Sequence, residues 1–283
     1  MVTKLSTINH SRDVLGLRYV YPVISRRAGG LSIGVNFNTN NACNWQCVYC
    51  QVPNLSLGSA PPLDLVLLEK ELRFFLEEVL AGDFYDEFQV ETGKRVIKDI
   101  ALSGNGEPTS VKAFAEAVAL ISTIVEQMAV PETAKYVLIT NGSLIHQTKV
   151  QQGLQILANA GGELWFKLDS ATFGGRKVLN HAAISQQNYV ANLKLAIQLC
   201  PTWLQTCFFT MDGQVLSESE QLAYLALVEQ IKNLSGFQGI LLYSLARPSL
   251  QVEADRLTSA NLEQLTEFAD KIKNLGVIVN VNS

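Results

Sequence analysis

The stretch ACNWQCVYCQ, residues 42–51, places Cys43, Cys47 and Cys50 within eight positions. Three thiols this close can hold zinc, hold an iron–sulfur cluster, or act as a redox thiol site. Structural zinc takes four protein ligands, usually in two pairs. His10, His146 and His181 are all distant in sequence, so zinc would have to recruit one of them through the fold. A [4Fe–4S] cluster on three thiolates has one iron without a protein ligand, and an open iron can bind a substrate or cofactor. A non-catalytic electron carrier would instead close its cluster with a fourth thiolate.

Three further short motifs carry candidate chemistry. In SGNGEPT, residues 103–109, Gly104 and Gly106 allow a ligand to approach the backbone, and Glu107 adds a carboxylate. An ammonium group would find its acceptors there. A dinucleotide-binding loop is the competing reading, but the third glycine is missing and Ser110 stands where the next helix should be capped. Asn141, in TNG, is either a ligand contact or part of a turn, because Asn-Gly tolerates left-handed backbone angles. In FKLDS, Lys167 and Asp169 share one strand face while Phe166 and Leu168 share the other. A lysine and an aspartate turned inward are costly unless paired with each other or functional.

The elements that must position these residues are legible in the periodicity. After residue 30, short β-branched runs alternate with segments of helical period. LSIGVNF (31–37) reads as a strand; Asp64 caps a helix whose Leu65, Leu68, Leu72, Leu76 and Val79 repeat at steps of three or four. Strands follow at 96–104, 135–140, 164–170, 203–210 and 239–245, separated by helices near 110–128, 148–159, 185–199 and 217–234. Ser217 and Glu220 have the spacing of a capping box. A helix near 259–275 and the run VIVNVN close the chain. Six strand-to-helix units without hairpin signals predict an α/β fold, a partial (βα)6 TIM-type parallel barrel over residues 31–283. An N-terminal extension, 1–30, should precede it, and a short tail strand should end it. The cysteines, SGNGEPT, TNG, KLDS and ARP all fall at strand carboxyl ends, where parallel βα proteins bind ligands.

Bulk properties agree with one large core: 283 residues, 48% hydrophobic and 17% charged. The most apolar helical stretch, AFAEAVALISTIVEQMAV, is broken by Glu116 and Glu126, and the first residues lack a secretory apolar region. A cytoplasmic protein with no membrane partner is expected. Five cysteines are too few for a disulfide scaffold at this length, and Cys200 and Cys207 read as small core residues. Net charge is −4, yet Lys4, Arg12, Arg18, Arg26 and Arg27 against Asp13 make residues 1–63 basic. That charge could steer an anionic substrate, or it could be simply solvated.

CNWQCVYC resembles the CxxxCxxC loop of the radical S-adenosylmethionine (radical SAM) superfamily, including the aromatic Tyr49 before the last cysteine. GNGEP is similar to that family's GGE segment, with Asn105 in place of a second glycine. The lead-in YPVISRRAGGLSIGVNFNTNNACNWQCVYCQVP together with LYSLARPS is most similar to the wyosine-synthase-like branch, related to tRNA imidazoG synthetases, in a single-cluster form. The resemblance implies a [4Fe–4S] cluster on Cys43, Cys47 and Cys50, and S-adenosylmethionine (SAM) on its open iron. It further implies Tyr49 near the adenine; Gly104, Asn105, Gly106 and Glu107 at the methionine amine; Asn141 as a cofactor contact; Asp169 at the ribose; and Lys167 as a catalytic or carboxylate-binding group. Reductive cleavage of SAM would give a 5′-deoxyadenosyl radical that abstracts hydrogen from a substrate, with an RNA base, in transfer RNA, as one candidate. A maturase or activase acting on a small molecule or protein is the alternative. A low-potential donor such as a flavodoxin or ferredoxin is implied as partner. The branch's second cluster sits on cysteines upstream of the first, and no cysteine precedes Cys43 in this sequence, so neither that cluster nor the branch's flavin domain is expected.

Iron analysis of the reconstituted protein should therefore find about four irons per chain, and about eight would reveal a second cluster. Replacing any one of the three cysteines with Ala should remove the visible absorbance of the cluster.

Overall fold

A computed structural model describes Leu5, residues 15–25 and residues 29–282. Arg26 and Arg27, with Lys4 and Arg12, lie outside the described residues. The first strands form an antiparallel pair, Val20–Ser25 (β1) against Gly30–Val35 (β2). β1 therefore falls inside the stretch expected as an extension. Its Pro22 sits opposite Ile33 on a sheet edge, where a residue without an N–H is tolerated.

After β2 come the two-residue strands Ala42–Cys43 (β3) and Ser56–Leu57 (β4), which pair with each other across the cysteine loop. Helices Leu65–Ala81 (α1) and Asp83–Glu87 (α2) lead to Ile97–Leu102 (β5) and Phe114–Gln127 (α3). Lys135–Thr140 (β6), Thr148–Asn159 (α4), Glu163–Lys167 (β7), Phe173–Leu179 (α5) and Gln186–Leu199 (α6) follow. The chain continues through Thr202–Cys207 (β8), Phe209–Met211 (β9), Glu218–Ile231 (α7) and Phe237–Tyr243 (β10). It closes with Leu257–Ser259 (β11), Leu262–Lys273 (α8) and Val279–Asn282 (β12). The main sheet has eight strands in the order β1-β2-β5-β6-β7-β8-β10-β12, parallel from β2 onward. β1 and β12 are its two edges, so the sheet curls into a partial barrel of TIM type.

The two faces of this sheet differ in chemistry. On the helix side Ile33, Ile100, Leu138, Phe166, Leu204 and Ile240 are almost wholly buried in one core. The intervening inner-face positions Ile139, Trp165, Lys167, Trp203, Leu241 and Tyr243 remain half-buried. Two glycines keep that inner face shallow. A Cβ on Gly34 would lie 2.1 Å from the Tyr21 ring, and one on Gly239 would lie 2.8 Å from the Trp203 ring. Both rings thus lie against a neighbouring strand instead of filling the barrel.

Several local expectations need correction. Ser217 accepts from the Glu220 amide as an N-cap, but the Glu220 carboxylate turns to Ser170 and Thr172, so the box is not reciprocal. Ser110 is not a helix cap: α3 starts at Phe114, and the Ser110 hydroxyl donates to the Glu107 carbonyl while accepting from Ala60 N. The strand expected at 203–210 breaks at Phe208, after which β9 pairs antiparallel with β11. Asp64 and Ser185 do cap α1 and α6, accepting from Leu67 N and Asn188 N. No described helix is long and apolar enough to cross a membrane.

Gly34→Ala should lower stability by about 1–3 kcal/mol through overpacking against Tyr21. If the ring is the cause, adding Tyr21→Ala should restore part of that loss in urea unfolding, and strictly additive losses would contradict it.

Candidate functional site

The cysteine loop has little regular structure and lies over the carboxyl ends of the strands, so main-chain and side-chain groups of neighbouring loops must satisfy its backbone. On one side, Val48 N and Gln46 N donate to the carbonyls of Leu179 and Asn180, at the end of α5. On the other, Leu250 N donates to the Cys50 carbonyl, the Ser249 hydroxyl donates to the Val48 carbonyl at 2.7 Å, and Gln251 Nε2 reaches the Cys50 and Val52 carbonyls. Cys43, Cys47 and Cys50 are free and half-buried. Two of their sulfurs receive N–H groups: Trp45 N at 3.5 Å from Cys43 Sγ, and Asn180 Nδ2 at 3.2 Å from Cys47 Sγ.

Asn side chains stitch the start of this loop to the neighbouring loops. Asn36 Oδ1 accepts from Asn38 N and Asn105 N, both at 3.0 Å. Asn38 Nδ2 donates to the Ala42 carbonyl, and Asn105 Nδ2 donates to Asn41 Oδ1. The two glycines of GNGEP are where this contact closes. A Cβ on Gly104 would lie 2.1 Å from Asn36 Oδ1, and one on Gly106 would lie 2.1 Å from the Ala42 carbonyl oxygen. Asn141 Nδ2 donates to Asn44 Oδ1 at 2.8 Å, and Asn44 Nδ2 to Ser143 Oγ at 2.7 Å, joining the TNG turn to the cysteine loop.

Glu107 is 2% exposed. Its Oε1 accepts from Thr109 N, Thr109 Oγ1 and Thr140 Oγ1, and its Oε2 from Asn141 N at 2.7 Å. Burial raises its pKa above the usual carboxylate value, and these hydrogen bonds oppose that rise. The carboxylate thus locks the second strand-end loop to the third, with acceptor capacity left on Oε2.

Asp169 is the corresponding centre on the other side. Its Oδ2 accepts from the Tyr49 hydroxyl and from Asn180 Nδ2 at 2.8 Å, and its Oδ1 from Cys207 N at 3.0 Å. Lys167 Nζ donates to Tyr243 Oη at 3.0 Å and lies 4.9 Å from the centre of the Tyr49 ring. Burial alone would lower the Lys167 pKa, but Asp169 and the surrounding tyrosines and thiols outweigh it and hold the ammonium charged. Tyr49 packs edge-on against Phe209, 5.5 Å between ring centres. Phe209 in turn lines a cavity of about 410 Å³ walled by Gly175, Leu179, Met211 and Leu216, with Glu220 among its polar groups.

The expected site residues Tyr49, Asn105, Glu107, Asn141, Lys167 and Asp169 are therefore joined to the cysteine loop or to one another. Sequence reasoning passed over Asn36, Asn44, Asn180, Ser249 and Gln251, which do much of the joining. Among the described residues, no three His, Cys, Asp or Glu side chains converge on a ready-made metal position. His181, adjacent to Asn180, pairs with Glu253 at 3.3 Å. The donors do suit an iron–sulfur cluster: three soft thiol ligands on one loop, two of them with N–H groups directed at sulfur.

No protein-family model matches the chain. A curated relative, the UPF0026 protein of Helicobacter pylori strain J99, is 30% identical over 135 residues, covering 47% of this chain and 38% of that protein. The chain thus matches less than half the length of this relative. Among solved structures, a radical SAM methyltransferase from Sphaerobacter thermophilus superposes with a TM-score of 0.59 at 15% identity, over 89% of this chain and 66% of that one. TYW1 with a lysine-pyruvate adduct bound gives 0.54 at 13% identity, over 87% and 74%. The chain has the fold of radical SAM enzymes.

Two outcomes follow from the geometry. Tyr49→Phe and Asp169→Asn should each destabilise the protein and be coupled by about 0.5–3 kcal/mol in a double-mutant cycle; independent losses would mean that their hydrogen bond does not hold the loop. Burial pushes the Cys43 and Cys47 thiols up to about 12 in the metal-free chain. Because ligation needs thiolates, reconstitution followed by absorbance should speed up as pH rises from about 7 to about 9, and a flat profile would contradict this.

Proposed function

We propose that the chain is a radical SAM enzyme carrying one [4Fe–4S] cluster on Cys43, Cys47 and Cys50. The observation that carries the reading is the three-thiol loop fastened over the strand carboxyl ends by Asp169, Asn180 and Ser249, with N–H groups aimed at Cys43 and Cys47. When bound, the cluster and SAM together supply reductive carbon–sulfur cleavage and a 5′-deoxyadenosyl radical for hydrogen abstraction.

The chain's own groups hold and shield that chemistry. Backbone carbonyls of Gly104 to Glu107, with the remaining capacity on Glu107 Oε2, receive the methionine amine. The cavity lined by Phe209 takes the adenosine end, with Tyr49 packed edge-on against that ring. Asp169 already holds Tyr49, so a ribose hydroxyl would share its oxygens. Asn141 serves by fixing Asn44 in the loop. Lys167, held charged and facing the barrel interior, is the group placed for the substrate. The electron comes from a flavodoxin- or ferredoxin-type donor. The branch resemblance keeps an RNA base among the candidate substrates.

The test is anaerobic reconstitution, dithionite reduction and assay of 5′-deoxyadenosine and methionine formed from SAM. Both should appear, and both should vanish in Cys47→Ala. Absence of cleavage by protein with a full cluster would overturn the reading. Glu107→Gln should weaken SAM binding while iron content stays near that of the parent, and unchanged affinity would confine Glu107 to joining loops.

A further inference from the structure

Beneath the cysteine loop, the inner face of the sheet carries groups that neither the thiols nor the GNGEP loop uses. Closed βα barrels fill their interior with layers of bulky branched side chains. Here Gly34, Ala101 and Gly239 occupy inner-face positions, and the rings of Tyr21 and Trp203 come close over the two glycines. The result is a cleft with a floor and a top. Trp165 and Trp203 are register partners on β7 and β8, both half-buried on this face. Lys135 and Glu163 form an ion pair at 2.9 Å on the floor below them, with Lys135 reaching out to solvent.

Two residues higher, Lys167 and Gln205 are again register partners. Lys167 gives one of its three N–H groups to Tyr243, its one hydrogen-bond partner among the described residues. The Tyr49 and Tyr243 rings, 4.9 and 5.6 Å away, stabilise the remaining positive charge without satisfying its hydrogens. Gln205 is 3% exposed as a residue, yet its amide is not among the fully buried polar atoms left without a partner, so it keeps access to this face. A cation and an open amide side by side, above two tryptophans, form the apolar pocket with few convergent polar groups that small ligands use.

We propose that this cleft selects a small planar molecule bearing a carboxylate, with its ring against Trp165 and Trp203 and its carboxylate held by Lys167 and Gln205. A single ammonium matches one negative charge, and the floor ion pair is neutral overall, so the cleft offers little to a polyanionic backbone. Calling this ligand the substrate rests on the radical SAM reading; its recognition does not.

The experiment uses 2-naphthoate and its uncharged counterpart 2-naphthamide as probes, titrated calorimetrically into the anaerobically reconstituted protein. Naphthoate should bind saturably at one site, at least about tenfold more tightly than naphthamide. Gln205→Glu, which puts a second carboxylate beside Lys167 to pair with it and repel the ligand's own, should weaken naphthoate by about tenfold and leave naphthamide nearly unchanged. Lys167→Met should abolish the preference for the acid, and Gln205→Glu keeps the test decisive where the lysine variant does not fold. Equal affinity for acid and amide, no saturable naphthoate binding, an unaltered preference in Gln205→Glu, or displacement of naphthoate by bulk transfer RNA would each overturn the proposal. SAM cleavage measured on the same preparation separates the two claims. Cleavage without acid preference sinks only this inference, whereas acid preference without cleavage sinks only the radical SAM reading.

Discussion

The buried carboxylate of Asp169 is the interaction on which the rest of the site depends. A charge that is 2% exposed is costly unless fully paired. Its partners come from separate parts of the chain: the Tyr49 hydroxyl from the cysteine loop, the Asn180 amide from the segment after α5, and Cys207 N from the end of β8. Satisfying one charge therefore brings three elements together. Asn180 carries the effect further, because the same amide nitrogen that meets Asp169 reaches Cys47 Sγ. Removing the carboxylate would leave those donors without an acceptor and the loop with one anchor fewer.

Glu107 does the equivalent work on the opposite side, where its oxygens bind Thr109, Thr140 and Asn141. Between these two acids the cysteine loop is held by side-chain hydrogen bonds together with a few main-chain bonds, the only sheet in it being the two-residue β3–β4 pair among the described residues. That division of labour explains the two faces of the main sheet. The helix side is aliphatic and closed, which supplies the hydrophobic stabilisation. The inner face is left with lysine, glutamine and half-buried aromatic rings, a composition that would be poor as a core and is suited to a ligand.

The cysteine loop, GNGEP, TNG and KLDS were legible because each is a short polar interruption at the end of an apolar strand, and the strand-to-helix alternation showed the parallel arrangement. β1 was hidden by Pro22, which reads against a strand everywhere except at an edge. Asn36, Asn44, Asn180 and Ser249 were hidden for another reason. Each is a single polar residue in irregular chain, and its partner is distant in sequence, as with Ser249 and Val48. The inner-face pairing of Lys167 with Gln205 likewise requires the register of β7 against β8, which no local pattern encodes. Glu220 illustrates competition: its spacing from Ser217 fits a capping box, yet Ser170 and Thr172 claim its carboxylate.

The central claim is that three thiols on this loop hold a cluster whose remaining iron is open to SAM. Electron paramagnetic resonance of the dithionite-reduced, reconstituted protein tests it most directly. Addition of SAM should change the g-values of the reduced cluster signal, because the cofactor enters its coordination sphere. A reduced cluster signal that stays the same with and without saturating SAM would contradict the account.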